Sequence, residues 1–223
     1  MTIQPLGDQA VLVKLPDEAA AVRFATAVQT AAPVWLQDVV PAYATVGVYF
    51  DADRIRLSEV ADWLPTITFR SAKGRSFAER KATIIQVCYE MNLDLARVAE
   101  ATSLTPERVI ELHAAAEYTV YALGFVPGFP YLGYLPSPLR GVPRLSSPRV
   151  RVDAGSVGLT GQQTGIYPLA RPGGWNIVGR TPRILVDVAD GFFPLRVGDR
   201  VRFARIDEAE FARQNGERLQ NPT

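Results

Sequence analysis

Cysteine and histidine are nearly missing from this chain of 223 residues. Cys88 stands alone, so no intrachain disulfide can form and nothing points to an oxidising compartment. His113 is also single, and with one His and one Cys a tetrahedral zinc site would need mostly carboxylates; no metal site is expected. Charge of one sign is lacking too. The formal net charge is +1, which excludes the basic field that nucleic-acid binders carry. No uninterrupted apolar run approaches the ~18 residues of a membrane helix. The N-terminus lacks the charged-then-apolar pattern of a secretory signal. A soluble, cytoplasmic protein is the expectation. No G-x-x-x-x-G-K-[ST] loop, no G-x-G-x-x-G fingerprint and no G-x-S-x-G elbow occurs. Ser156 in Gly155-Ser-Val-Gly158 falls one residue short of that elbow, and only His113 could serve it as a base.

What is present is concentrated between Tyr118 and Arg180. Glycine and proline recur there every few residues, with short apolar runs between them. Glycine allows positive φ and proline fixes φ and removes a donor, so short strands with demanding turns are expected rather than helices. Lysine is absent from the stretch. Its polar residues are forks and planar groups suited to carboxylates, phosphates and amides: Arg144, Arg149, Gln162, Gln163, Thr164, Tyr167 and Arg180. Such a barrel can use its glycines only to turn corners; the functional alternative is that these side chains converge on one polar hollow.

The first eighty residues read β-α-β-β-α. Residues 2–15 suggest one strand, with Asp17 capping a helix over roughly 18–30 whose apolar face is Ala21, Phe24, Ala25 and Val28. Val34–Val40 and Ala44–Phe50 suggest a hairpin joined through Pro41-Ala42-Tyr43. A second helix follows Ser58 and is ended by Pro65. Residues 71–76 have the composition of a linker, and Thr83–Tyr89 suggests a strand able to pair with either half. This order predicts an α+β, ferredoxin-like N-terminal domain over 1–81, in which Asp8, Asp51 and Asp53 are turn residues.

An all-β barrel domain with short helices is expected over 82–223. Leu93–Ala101 suggests one helix. Thr105-Pro106-Glu107 starts another, with threonine as cap and proline at the first turn. Its apolar stripe is Val109, Leu112, His113 and Ala116, so spacing alone makes His113 a satisfied core residue. The alternative puts its ring at the rim of the glycine-rich stretch, where it could move protons. Arg183–Asp187, Phe193–Leu195 and Val201–Ile206 suggest further strands, and the tail from Gln214 is polar and expected to fray. Cys88 is expected to pack.

Several motifs occur together and in order: Leu123-Gly-Phe-Val-Pro-Gly-Phe-Pro-Tyr-Leu-Gly133, Ala154-Gly-Ser-Val-Gly158, Gln163-Thr-Gly-Ile-Tyr-Pro168, Pro172-Gly-Gly-Trp175 and Gly179-Arg-Thr-Pro182. The set resembles the KipI family, also called the allophanate hydrolase small component or the 5-oxoprolinase B subunit. The resemblance implies a ferredoxin-like domain followed by a cyclophilin-like barrel. It implies a larger KipA-type barrel partner, the C component of 5-oxoprolinase, together with a LamB/YcsF-type A component, and ATP with Mg2+ bound on this chain or its partner. The implied reaction opens 5-oxo-L-proline to L-glutamate. The alternatives it leaves are inhibition of a sensor histidine kinase and a carboxyltransferase-type role on urea or allophanate. Carried over by position, it implies catalytic roles for His113, Tyr118 and Arg144, and binding roles for Arg149, Gln162, Gln163, Tyr167 and Arg180. Two departures, Asp153 before Ala154-Gly-Ser156 and Arg171 before Pro172-Gly-Gly-Trp175, add an acid and a base near that region. Cyclophilin-like topology does not by itself imply prolyl isomerase activity, and none is expected.

Overall fold

The computed structural model describes residues 1–68 and 81–220, so the expected linker at 71–76 lies outside the described residues. The chain divides into two compact units, Met1–Ser76 and Phe77–Thr223.

In the first unit, the stretch expected as one strand is a hairpin. Strand β1 (Thr2–Pro5) turns through Gly7 at φ 74° and pairs antiparallel with β2 (Ala10–Lys14). Helix α1 (Glu18–Ala31) starts where expected, with the Asp17 carboxylate accepting from the Ala20 N–H at 2.6 Å. Strands β3 (Leu36–Ala42) and β4 (Thr45–Phe50) form a hairpin whose tip is Tyr43-Ala44, so Pro41 belongs to the strand. The antiparallel sheet runs β1-β2-β4-β3, which puts β3 at an edge, where a missing N–H is tolerated. Helix α2 (Leu57–Trp63) stops in a short 3₁₀ turn at Leu64–Thr66 that contains Pro65. Phe24, Val28, Val46, Val48, Val60 and Leu64 share one core.

The second unit is a closed seven-stranded barrel. In chain order its strands are β5 (Thr83–Cys88), β6 (Glu117–Leu123), β7 (Pro130–Gly133), β9 (Ser156–Thr160), β10 (Gln163–Ile166), β12 (Asn176–Arg180) and β13 (Arg200–Ile206). Around the barrel the order is β10-β7-β6-β13-β5-β12-β9. The β5–β13 pair is parallel and the others are antiparallel. Strands β8 (Arg149–Val152) and β11 (Arg171–Gly173) form a separate two-stranded sheet. Helices α3 (Leu95–Thr102) and α4 (Pro106–Ala115) lie between β5 and β6, and α5 (Glu208–Gln214) follows β13. Thr105 caps α4, accepting from the Arg108 N–H at 3.2 Å. Between Tyr118 and Arg180 the only helical turn among the described residues is a 3₁₀ turn at Ser137–Leu139.

Two expectations fail near the C-terminus. Arg183–Asp187 and Phe193–Leu195 are not strands. Ile184 instead exchanges backbone hydrogen bonds with Glu217 and Leu219, while Leu185, Val186 and Leu195 are buried in the barrel core. Their apolar content satisfies the core without any ladder, which is why it imitates a strand in the sequence. The tail is also less frayed than its polarity suggests. Asp207 caps α5 by accepting from the Glu210 N–H at 2.7 Å, and Leu219 is buried. Cys88 packs with Ile206 and Phe211.

Candidate functional site

The residues singled out from the sequence do not meet in one hollow. His113, Tyr118, Arg149 and Tyr167 fall into three places in the barrel unit, while Arg180, Gln162 and Gln163 stand apart from them.

The first is the barrel interior. Helix α4 delivers His113 inward, fully buried, with its ring stacked on Phe203 of β13 at 4.7 Å and 11°. Nδ1 lies 2.8 Å from the Tyr89 hydroxyl and Nε2 lies 2.9 Å from Thr164 Oγ1. Thr164 uses its one hydroxyl proton on the Gly158 carbonyl at 2.9 Å. Its oxygen must therefore accept from His113 Nε2–H, which leaves Nδ1 as the acceptor of the Tyr89 proton. The chain of donation runs Tyr89, His113, Thr164, Gly158, and every step is filled. Burial pushes the His113 pKa down to about 3, so the ring is neutral. Tyr118, on β6, is also buried and donates to the His113 carbonyl at 2.9 Å, and burial pushes its phenol upward. The structure thus places His113 inside the barrel rather than at a rim, with both nitrogens committed.

The second place is the start of β12. Asp94, just before α3, is buried; its Oδ2 accepts from the Ile177 N–H at 2.7 Å. Arg149 grips the same carboxylate with both nitrogens, at 2.9 and 2.7 Å. Arg149 was expected to hold a ligand; its fork is occupied by protein. Beside it, buried Asn176 donates to the Pro143 and Leu159 carbonyls and accepts from Arg97 Nε at 2.9 Å. Arg180, at the far end of β12, donates to the Ala154 carbonyl at 3.0 Å and lies over the Phe211 ring. Gln162 is exposed at the tip of the β9–β10 hairpin, where its carbonyl accepts from the Leu135 N–H. Gln163 is half-buried in β10, opposite Gly133 and Thr160.

The third place is different in kind. Phe129, Tyr167 and Trp175 pack edge to face, with Phe129 5.2 Å from Tyr167 and 5.4 Å from Trp175. Tyr131 leans on the same rings, 4.9 Å from Phe129 and 5.8 Å from Trp175. Burial raises the pKa of both phenols, and the positive charge of Arg144 acts against it in each case. Tyr167 also feels the Trp175 backbone N–H, the Tyr131 phenol and Arg149. Arg144 itself is exposed and no carboxylate pairs with it among the described residues. Neither phenol has an acceptor for its proton among the described residues. A Cβ at Gly173 would come within 2.3 Å of the Tyr167 oxygen, so only glycine leaves that hydroxyl where it is. At the edge stands Phe125, 59% exposed, with φ at +68°. A bulky residue in the left-handed region is strained by roughly 1 kcal/mol or more. Its ring lies 5.6 Å from Phe129 and 6.3 Å from Tyr167.

Of the sequence candidates, Arg144 and Tyr167 belong to this third site, with Arg149 at its edge. Tyr131 and Phe125 were visible within the Leu123–Gly133 motif, but their hydropathy reads as packing, and only the fold shows them against Phe129. Asp94 and Asn176 gave no signal, since lone polar residues at element starts are ordinarily caps and turns.

Residues 1–191 of this chain match the model for the carboxyltransferase domain, subdomain C and D. The chain is 37% identical to the B subunit of 5-oxoprolinase from Bacillus subtilis (strain 168), over 94% of each chain. The crystal structure of TTHA0988 superposes with a TM-score of 0.78 at 35% identity, covering 90% of this chain and 40% of that one. This chain thus spans well under half of that protein. The urea carboxylase of Kluyveromyces lactis shares the fold, with a TM-score of 0.71 at 16% identity, over 98% of this chain and 23% of that one. This chain belongs to the family of KipI and the 5-oxoprolinase B subunits.

Among the described residues, no group of three or more His, Cys, Asp or Glu side chains is placed to hold a metal ion. No helix among them is long and apolar enough to cross a membrane.

Proposed function

We propose that this chain is the B component of an ATP-dependent 5-oxoprolinase, active only with its partners. The observation that carries this is the likeness along nearly the whole chain to a protein named as the B subunit of 5-oxoprolinase. The β-α-β-β-α order of the first unit is read here as ferredoxin-like and the barrel as cyclophilin-like. The partners are a KipA-type barrel protein, the C component, and a LamB/YcsF-type A component, in the cytoplasm.

The chemistry is compatible with the rim. A five-membered lactam is a poor electrophile, so opening it calls for activation of its carbonyl, for which ATP supplies a phosphoryl group. The substrate and its phosphorylated form are anions throughout. Arg144, Tyr131 and Tyr167 offer a guanidinium and two neutral phenols to such an anion, in a place partly shielded from water. In this proposal a Mg2+–nucleotide is held on this chain or with its partner. His113 and Tyr118 hold the barrel together and take no proton from substrate.

Glutamate formation from 5-oxo-L-proline and ATP, measured with both partners and with or without this chain, tests the proposal. Loss of turnover on omission supports it; unchanged turnover ends it. A second reading, a carboxyltransferase-type component that works on urea or allophanate, draws on the matched domain model. Turnover of those compounds, and not of 5-oxoproline, by the same assembly would favour it.

A further inference from the structure

We propose that this chain pairs with a second copy of itself through the open edge of strand β1, joining two four-stranded sheets into one antiparallel sheet about a two-fold axis at Ile3. The inference goes beyond the 5-oxoprolinase reading and does not rest on it.

The backbone groups at the two edges of the sheet carry the argument. An edge strand with unpaired N–H and C=O groups accepts another strand unless it is blocked. At β3 the edge is blocked. The Leu15 N–H bonds to the Ala44 carbonyl and the Phe50 N–H to the Gln9 carbonyl, so the even residues of β4 bond to β2. The odd residues of β4 then bond to Val40 and Ala42, and Val39 and Pro41 turn their backbone outward. Pro41 has no N–H. The Val39 N–H donates to the Asp38 carboxylate at 2.7 Å, and the Val39 carbonyl accepts from Gln29 Nε2 at 3.4 Å. A register shift between Leu36 and Asp38 interrupts the rest of the edge.

At β1 nothing blocks it. The Leu6 N–H bonds to the Ala10 carbonyl at 2.9 Å, so by alternation Gln4 and Thr2 exchange bonds with Leu12 and Lys14. Ile3 and Pro5 therefore turn their backbone outward. No group among the described residues answers the Ile3 N–H or C=O. Pro5 sits where its missing N–H costs the inner ladder nothing. The strand, Thr2-Ile-Gln-Pro5, carries no charge to repel a neighbour.

The pattern is complementary to itself. Ile3 stands opposite Val13 and Pro5 opposite Val11, both core residues, so these two side chains lie on the core face of the sheet. Thr2 and Gln4 lie on the other face and are exposed. About a two-fold axis at Ile3, two β1 edges exchange the Ile3 N–H and C=O bonds. On the core face Ile3 then meets its copy, and Pro5 meets Met1, which is 53% exposed in the single chain. On the other face Thr2 meets Gln4, two neutral hydrogen-bonding side chains. A two-fold contact requires one patch that fits itself, and β1 supplies it on both faces.

Sedimentation velocity of the full chain tests this, from about 1 μM to about 1 mM, the span in which small contacts associate. The mass should rise from one chain to two. Thr2→Lys with Gln4→Lys sets like charges opposite one another across the axis and should weaken association about tenfold or more. Thr2→Lys with Gln4→Glu sets opposite charges there and should restore it. Ile3→Pro removes the outward N–H and should abolish it. The charge variants keep the test sound if Ile3→Pro lowers stability, because Thr2 and Gln4 are exposed. Exchange of the Ile3 amide hydrogen should slow as concentration rises. A single-chain mass throughout, association that the Lys/Lys pair leaves unchanged, or a Lys/Glu pair that associates no better than the Lys/Lys pair would each overturn the proposal.

Discussion

The barrel holds two polar constellations that look alike on paper and differ in one respect. Around His113 every proton has an acceptor: Tyr89 donates to the ring, the ring to Thr164, Thr164 to Gly158. Arg144 is exposed, and no carboxylate pairs with it among the described residues. A filled network in a dry interior stabilises and specifies a packing, because removing any member strands the others. An exposed cation without an ion-pair partner adds little to the fold. The lone imidazole, which attracts attention in a sequence as a chemical group, therefore belongs with structure.

The largest expected effect breaks the filled network. His113→Ala should destabilise the chain by about 3–5 kcal/mol, from the cavity and from the stranded Tyr89 and Thr164 hydroxyls, measured by urea unfolding. If the loss is below about 1 kcal/mol, the interior network is not the structural element described here.

The next effect follows from pH. With a folded pKa of about 3, below the usual value near 6.5, His113 takes its proton in the unfolded chain before it does in the folded one. This contribution to stability is intact above about pH 6.5 and is lost as pH falls towards 3, by on the order of a few kcal/mol. A His113→Gln variant compared with the parent across that window should show a flatter dependence. Identical slopes would contradict a neutral buried ring.

Asp94→Asn should follow at about 2–4 kcal/mol, since it leaves Arg149 half-answered and weakens the tie to the Ile177 N–H. Gly173→Ala should cost about 1–3 kcal/mol by pressing on the Tyr167 hydroxyl, and should disturb the rim as well. The smallest effect sharpens the comparison most. Arg144→Ala should change unfolding stability by less than about 0.5 kcal/mol while abolishing anion binding. A marked destabilisation there would mean that the open donors are structural after all.

Much of the architecture was legible beforehand because its signals are local. Asp17 and Thr105 cap helices through their own backbone neighbours, and Pro65 ends a helix by its own chemistry. The Gly/Pro rhythm from Tyr118 to Arg180 excludes long helices whatever surrounds it. The apolar spacing of α4 already placed His113 on a buried stripe. The failures were non-local. Residues 183–187 are apolar because they cover the core, and period and composition cannot distinguish that from a strand.

By itself the sequence settled most of the helices, the glycine-rich barrel stretch, the family to which the chain belongs and the absence of an intrachain disulfide. Tertiary structure alone decided which polar groups have partners. The fork of Arg149 is closed by Asp94, fifty-five residues away, and the His113 ring by Thr164, fifty-one residues away, while exposed Arg144 has no carboxylate partner among the described residues. Whether a donor is spent or free depends on what the fold brings beside it, and hydrogen bonds reach only ~3 Å through space with no regard for separation along the chain.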